Sequence, residues 1–185
     1  MPQNVEVKAR VHNIDVLLQK ATELCQMEAE VIEQSDTFFK VKNGRLKLRQ
    51  FKVFSSECCK YGNKYLKTFF FQEGTGGELI FYERSNNCGP KVSTYMKSLV
   101  NDPLSLKQVL SMALEVEGNI SKKRMLFYHN QTRIHIDKVC NLGDFLELEA
   151  CNAFQNKFYL LNKVFVAIVG GSRRWTMSRE WNEYS

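Results

Sequence analysis

The chain has 185 residues, of which 44% are hydrophobic and 25% are charged, values close to the averages for globular proteins. This composition argues against intrinsic disorder, collagen and coiled coil, and the length fits one domain of roughly 100–200 residues. The net charge of +6 indicates an anionic partner, such as a nucleic acid, a membrane surface or a phosphate compound.

Targeting and membrane signals are not evident in the sequence. Residues 1–10 lack the apolar core of a signal peptide. The six cysteines form no CxxC pair and show no metal-finger spacing, so we expect reduced thiols and a cytoplasmic location. The longest apolar stretch, residues 158–169, contains Asn162 and Lys163 and falls short of the roughly 20 residues that span a bilayer.

Strand patterns dominate the chain, beginning with apolar and polar residues that alternate between positions 4 and 12. The dipeptide Asn43-Gly44 is the strongest hairpin signal in the sequence. Short turns between the strands favour an antiparallel sheet or barrel. Further strands are predicted over residues 30–41, 45–49, 78–84, 91–100, 119–129, 132–139 and 144–150.

Two helices interrupt this series of strands. Asn13 is a candidate N-cap for the first helix, whose apolar residues recur at helical spacing. Asp102-Pro103 begins the second helix, and the same spacing places Val109 on its predicted buried side.

Charged residues recur at every second position of several strands, so each set lies on one side of its strand. One interpretation is the solvent-exposed face of an ordinary antiparallel sheet. The other is a closed barrel whose charges point inward, while helices cover part of its apolar outside. In chain order the sets are Glu6, Lys8 and Arg10; Arg45, Lys47 and Arg49; Lys122 and Arg124; Arg133, His135 and Asp137; and Glu147 and Glu149.

The inward-facing interpretation carries a chemical requirement. A ring of arginines and lysines repels itself and is costly to desolvate unless it holds a polyanion. Carboxylates on the first and last strands would hold hard divalent cations, which prefer oxygen ligands. Phosphate-binding cations beside a metal-binding carboxylate cluster are what phosphoryl or nucleotidyl transfer requires.

Seven short segments carry a family resemblance. At these segments the chain resembles the CYTH superfamily, also called triphosphate tunnel metalloenzymes, over about residues 4–150. It is most similar to the branch related to class IV adenylate cyclases. The segments are NVEVKAR (4–10), DTFF (36–39), GRLKLRQ (44–50), ELIFYERSN (78–86), GPK (89–91), TRIHIDKV (132–139) and LGDFLELE (142–149).

The resemblance implies an α+β fold, in which an antiparallel, eight-stranded, tunnel-like β-barrel with flanking helices binds a triphosphate with Mg²⁺ or Mn²⁺. By matching position, it assigns catalytic roles to Lys8, Arg49 and Arg133. The implied substrate-binding residues are Lys47, Arg45, Arg84, Lys91, Lys122 and Arg124. The implied metal ligands are Glu6, Asp137, Glu147 and Glu149.

One position departs from the family pattern. Asn4 stands where the ExExK signature has its first glutamate, which leaves a neutral oxygen ligand at one metal position. We expect His135 to be a wall residue of the tunnel rather than a catalytic base.

The resemblance leaves the reaction open. The leading hypothesis is divalent-metal-dependent hydrolysis of tripolyphosphate, thiamine triphosphate or a nucleoside triphosphate. The alternatives are cyclisation of ATP to cyclic AMP, and a non-catalytic polyphosphate-binding module or inactive splice isoform. The expected partner is a small triphosphate rather than a nucleic acid or a membrane, and the oligomeric state is left open.

Two segments depart from the resemblance. Residues 53–72 form an insertion for which a retained in-frame intron and a genuine hairpin insertion are both open explanations. Residues 151–185 are expected to form a divergent tail beyond a domain of residues 1–150, leaving the barrel incomplete at its C-terminal end. Five of the six net positive charges lie in these two segments, so the rest of the chain is nearly neutral. The evidence for an anionic partner is therefore the placement of charges and not their total.

Overall fold

Strands that alternate apolar and polar residues curl into a closed barrel in this chain. The computed structural model describes residues 1–52, 76–85, 90–151 and 157–169. Eight antiparallel strands lie in the order β1-β5-β4-β3-β2-β6-β7-β8, and β8 pairs with β1. Their bounds are β1 Gln3–Val11, β2 Glu30–Phe39, β3 Arg45–Lys52, β4 Gly77–Arg84, β5 Lys91–Val100, β6 Val116–His129, β7 Thr132–Val139 and β8 Gly143–Cys151. The helices described are α1 Ile14–Cys25, α2 Pro103–Ala113 and α3 Lys157–Val169.

The predicted eight-stranded antiparallel barrel is confirmed, and it is closed. The expected gap at the C-terminal end is not present, because β8 pairs along β1 from Asn4↔Cys151 to Val11↔Asp144. The strand that follows Asn141 is itself the eighth strand, so closure needs no further element.

The apolar face of the barrel points outward, and two helices cover the part formed by β1, β6, β7 and β8. The side chain of Asn13 accepts a hydrogen bond from the Val16 backbone N–H at 3.2 Å, which caps α1 as predicted. The apolar residues 158–169 lie within α3, which packs beside α1. The core between the helices and strands β1, β6, β7 and β8 includes Leu17, Ala21, Leu161, Ile168, Val5, Val7, Phe127, Ile134, Ile136, Leu146 and Leu148.

The second helix differs from its prediction. Only Pro103 of α2 is buried, and Val109, which the spacing placed on the buried side, is 60% exposed. Pro103 packs so closely on Gly77 that a Cβ there would lie 3.0 Å from the proline Cβ and 2.5 Å from the Arg49 carbonyl oxygen. The helix is therefore attached at its N-terminal end. Within the described ranges, no helix is long and apolar enough to cross a membrane.

The hairpin predicted at Asn43-Gly44 joins β2 to β3, and Gly44 adopts a φ of +65° that favours glycine. The insertion at residues 53–72 lies outside the described residues, as do residues 170–185 of the predicted tail. On either side of the insertion, β3 and β4 pair directly from Arg45↔Tyr82 to Gln50↔Gly77. The barrel is thus continuous across the place where the insertion enters.

Candidate functional site

The inside of the barrel is a cavity of about 840 Å³ lined by the polar faces of all eight strands. The prediction that the charges face inward is thereby confirmed, and the solvent-exposed alternative is wrong. The charge sets line one cavity because inward-facing residues recur at every second position. The predicted site residues on its wall are Glu6, Lys8, Lys47, Arg49, Arg84, Lys122, Arg124, Arg133, Glu147 and Glu149.

A buried aspartate on β2 binds the cations of β3. The register places Asp36 opposite Arg49. Arg49 Nε donates to Asp36 Oδ1 at 2.8 Å and its Nη2 donates to Oδ2 at 2.9 Å. Lys47 Nζ donates to Oδ2 at 3.0 Å, and Gln34 Nε2 donates to Oδ1 at 3.2 Å. We call the group Asp36, Lys47 and Arg49 the first clamp.

A second aspartate repeats this arrangement between β6 and β7. Arg124 Nε and Nη2 donate to the two oxygens of Asp137, each at 2.7 Å, and Lys122 Nζ donates to Oδ2 at 2.9 Å. We call Asp137, Lys122 and Arg124 the second clamp. In both clamps, a Lys-x-Arg pair on one strand holds an aspartate of the neighbouring strand. Since β2 and β6 are neighbours, the clamps lie side by side and form one wall of basic side chains.

The clamps shift the pKa values of their members. Burial alone would raise the pKa of Asp36, but Lys47 and Arg49 outweigh it and hold that pKa well below its usual range. The pKa of Asp137 is lowered to about 2, because hydrogen bonds and charge from Arg124 and Lys122 overcome its burial. Burial and the adjacent arginines lower the pKa of Lys47 to about 8 and that of Lys122 to about 7. The lysines are therefore the members whose charge changes near neutral pH.

Carboxylates from β1 and β8 form an acidic cluster next to the second clamp. Glu147 Oε2 accepts from Arg124 Nη2 at 3.1 Å, and Glu149 Oε1 accepts from Arg133 Nη2 at 2.5 Å. Glu6 pairs with Arg84.

Charge and burial act differently on two members of the cluster. Burial, followed by the charge of Glu147, raises the pKa of Glu6 against the opposing effect of Arg84. Burial alone would raise the pKa of Glu147 as well, but Arg124 and His135 hold it well below its usual range. The cluster therefore combines one carboxyl whose pKa is raised with one whose pKa is lowered.

The acidic cluster and its neighbours offer ligand atoms for a divalent cation. One donor atom each from His135, Glu147 and Glu149 lie within 4.8 Å of one another. Asn4 donates to Glu149 through Nδ2, and its Oδ1 is buried with no hydrogen-bond partner among the described residues. Carboxylate and amide oxygens are ligands that Mg²⁺ and Mn²⁺ prefer. Glu147, Glu149 and Asn4 therefore offer a suitable donor set.

Three of the predicted site residues are not among the residues that line the cavity. Asp137 is fully buried, holds its two cations and does not line the cavity, so the structure places it with the basic wall. Arg45 hydrogen-bonds Tyr82, and Lys91 lies opposite Glu6 in the β5–β1 ladder. Neither Arg45 nor Lys91 is among the residues that line the cavity.

The remaining predicted residues lie on the wall as expected. Lys8 lies opposite Glu147 in the β1–β8 ladder, with its Nζ 5.2 Å from the centre of the Phe145 ring. Two acidic residues of the cavity wall were not predicted. Asp36 was visible only as part of the DTFF segment, and Glu78, 3.4 Å from Lys97, lies in ELIFYER with no charge two positions away.

Comparison with known proteins places the chain in a family. No curated protein matches it. The PH1012 protein of Pyrococcus horikoshii is 19% identical, with 90% of each chain covered and a TM-score of 0.67. A proposed adenylate cyclase from Vibrio parahaemolyticus is 20% identical over 90% of this chain and 86% of that chain, with a TM-score of 0.58. A proposed adenylyl cyclase from Hippeastrum, described as having a dominant triphosphatase activity, is 10% identical over 90% and 86%, with a TM-score of 0.59.

At identities of 10–20%, these solved structures show that the chain shares their fold and nothing more specific. The family match itself extends further along the chain than the segments from which the resemblance was recognised. It continues past residue 150 into α3, whose Leu161 and Val164 belong to the core. The model described as the CYTH domain matches residues 2–164, and the chain therefore belongs to the CYTH domain family.

Proposed function

We propose that this chain binds a linear triphosphate in its tunnel together with a divalent cation, and that it hydrolyses the triphosphate. The observation that carries the proposal is the pair of clamps beside the acidic cluster inside one closed barrel. Four basic side chains, Lys47, Arg49, Lys122 and Arg124, line a cavity of about 840 Å³, a volume suited to a small molecule. A small polyanion is the ligand that such a wall would attract.

The clamps explain how the tunnel tolerates its cations. Self-repulsion and desolvation of four buried cations would be unfavourable without counter-charges, and Asp36 and Asp137 supply one to each pair. Arginine bound through two nitrogens is fixed in orientation, yet it has further N–H groups to donate. Phosphate oxygens would therefore meet positioned donors, which lowers the cost of ordering on binding.

The acidic cluster would hold the cation. Glu147 and Glu149 are its best-placed ligands, with Asn4 or Glu6 completing the set. A bound Mg²⁺ or Mn²⁺ would supply charge neutralisation at the phosphoryl group being transferred. Lys8, Arg49 and Arg133 would donate to the phosphate oxygens on which negative charge develops, as the family resemblance implies.

The related structures support triphosphate chemistry in general. The Hippeastrum protein is described as having a dominant triphosphatase activity, and the Vibrio parahaemolyticus protein as a proposed adenylate cyclase. Hydrolysis and cyclisation differ in whether water or the substrate's own hydroxyl attacks. We commit to hydrolysis, and the products of ATP test this choice.

The proposal is tested with a panel of tripolyphosphate, thiamine triphosphate and ATP, each with Mg²⁺ or Mn²⁺. We expect metal-dependent release of phosphate from at least one of them. Lys47→Ala should weaken binding of that compound about tenfold to a hundredfold, the loss expected for one hydrogen bond to a charged group. Lys20→Ala, a change in α1 on the outside of the barrel, is the control. Formation of cyclic AMP and pyrophosphate would support cyclisation instead, and the absence of both reactions with every compound would overturn the enzymatic proposal.

One observation favours a second candidate, a binding module without turnover. Asn4 stands where the family signature has a glutamate, and it donates a hydrogen bond to Glu149. Arg84 forms an ion pair with Glu6. Two of the acidic ligands are therefore engaged by the protein itself. Tripolyphosphate that raises the melting temperature but is not turned over would identify this function.

The pH dependence of binding follows from Lys47. Its pKa is lowered to about 8 by burial and by Arg49, and only the ammonium form attracts a phosphate. As the pH rises through about 8, the free protein loses this charge, and the affinity for tripolyphosphate should fall. Lys47→Arg keeps the positive charge, so its affinity for tripolyphosphate should fall less between about pH 7 and pH 9 than that of the unaltered protein. Tripolyphosphate itself also titrates with pH, but this affects the unaltered protein and Lys47→Arg equally. If calorimetry showed the same change of affinity with pH in both proteins, Lys47 would not be the group responsible.

A further inference from the structure

His135 lies on β7 between two carboxylates of β8. It is directly opposite Glu147 in the ladder, and its side chain is 4% exposed. Its Nδ1 is 3.4 Å from Glu147 Oε1, and its Nε2 is 3.9 Å from Glu149 Oε2. Nδ1 is buried and makes no hydrogen bond of acceptable geometry to any described residue. A buried imidazole thus faces two carboxylates without being hydrogen-bonded through Nδ1 to either.

The two carboxylates are held in place through their other oxygens. Glu147 Oε2 accepts from Arg124, and Glu149 Oε1 accepts from Arg133 and from Asn4. These contacts leave Glu147 Oε1 and Glu149 Oε2 as the oxygens that face the imidazole. Because each carboxylate is fixed by a partner, the three donor groups converge without further rearrangement.

A protonated histidine paired with both glutamates would be the purely structural explanation. The distances of 3.4 and 3.9 Å are longer than those of charge-assisted hydrogen bonds, which are about 2.7–2.9 Å. A cation that is shared by one nitrogen and two oxygens satisfies all three groups at once.

We infer that His135 is a metal ligand together with Glu147 and Glu149, and that it makes the site selective for a divalent transition-metal ion such as Mn²⁺ over Mg²⁺. Imidazole binds transition metals well, whereas Mg²⁺ prefers oxygen ligands and retains its waters. The inference rests on the proposed metal-dependent function and identifies its metal. His135 lines the cavity, as expected of a wall residue, and the inference adds a role as metal ligand.

The test uses metal alone, without any triphosphate, so that it is independent of the proposed reaction. Mn²⁺ binding is measured from the electron paramagnetic resonance signal of the free ion, and Mg²⁺ binding from its competition with Mn²⁺. His135→Gln should weaken Mn²⁺ binding about tenfold or more while changing Mg²⁺ binding less than about threefold. His12→Gln, a change of an exposed histidine after β1, is the matched control and should leave both affinities unchanged.

A second readout requires no variant. Pulsed electron paramagnetic resonance of Mn²⁺ bound to the unaltered chain should contain the ¹⁴N coupling of a directly bound imidazole. Presence of that coupling, with its loss in a folded His135→Gln protein, supports the assignment. Absence of the coupling in the unaltered chain, an unchanged ratio of Mn²⁺ to Mg²⁺ affinity in the variant, or failure of Mn²⁺ to bind at all would overturn it. If metal binds through nitrogen but no triphosphate is turned over, only the proposed hydrolysis fails.

Discussion

Replacing Asp36 by asparagine is expected to destabilise the protein by about 3–5 kcal/mol, the usual cost of removing one partner from a buried ion pair. Asp36 is 3% exposed and is the hydrogen-bonding counter-charge of both Lys47 and Arg49. Asparagine keeps the size of the side chain but leaves two neighbouring cations without that charge. Chemical denaturation followed by circular dichroism measures the change.

The design of this experiment separates the first clamp from a general effect of lost charge. Glu28→Gln, which alters an exposed carboxylate before β2, should change the free energy of unfolding by less than about 0.5 kcal/mol. Tripolyphosphate should raise the melting temperature of Asp36→Asn more than that of the unaltered protein, because phosphate replaces the missing negative charge. If the free energy of unfolding of Asp36→Asn lay within about 1 kcal/mol of that of the unaltered protein, the first clamp would not stabilise the barrel.

Replacing Glu147 by glutamine is expected to reduce metal-dependent turnover roughly a hundredfold to ten-thousandfold, because a bound metal ion supplies several kcal/mol of transition-state stabilisation. Glu147 belongs to the acidic cluster. Its Oε2 accepts a hydrogen bond from Arg124 of the second clamp, and its Oε1 faces His135. Binding of tripolyphosphate without metal should be retained, since the change removes a negative charge from the wall of an anion site. Steady-state kinetics and calorimetry measure the two effects separately.

A matched substitution controls for position on the barrel. Glu117→Gln lies on the exposed part of β6 and should leave turnover and binding unchanged. If Glu147→Gln lost binding and turnover to the same extent, the carboxylate would be a structural part of the phosphate site and not a metal ligand.

The sequence predicts most of the fold because its strands alternate strictly. Residues 6–10 and 45–49 carry charge at every second position, which places those charges on one face of each strand. The family resemblance then implied that this face lines a tunnel. Asn43-Gly44 likewise defined a hairpin through a local backbone preference. The buried side of α2 could not be chosen in this way, since helical periodicity gives an apolar side but not the presence of a partner for it. Val109 is apolar and yet exposed.

The clamps are the part of the site that periodicity cannot give. Asp36 is the only charged residue on the inward face of β2 within the cavity wall, so no pattern distinguished it. Its role depends on the register between β2 and β3, which places it opposite Arg49. The register between β6 and β7 in the same way places Asp137 opposite Arg124. Register is a property of paired strands, and one strand read alone does not contain it.

Calorimetric titration with tripolyphosphate, in low salt and with Mn²⁺ present, tests the central claim most directly. For a tunnel in which two clamps and a metal hold one linear triphosphate, we predict saturable binding of one molecule per chain. The affinity should be at least about a hundredfold higher than that for inorganic phosphate, and Lys47→Ala should weaken it as stated above. Binding no tighter than that of inorganic phosphate, or unaffected by Lys47→Ala, would contradict the assignment of the tunnel as a triphosphate site.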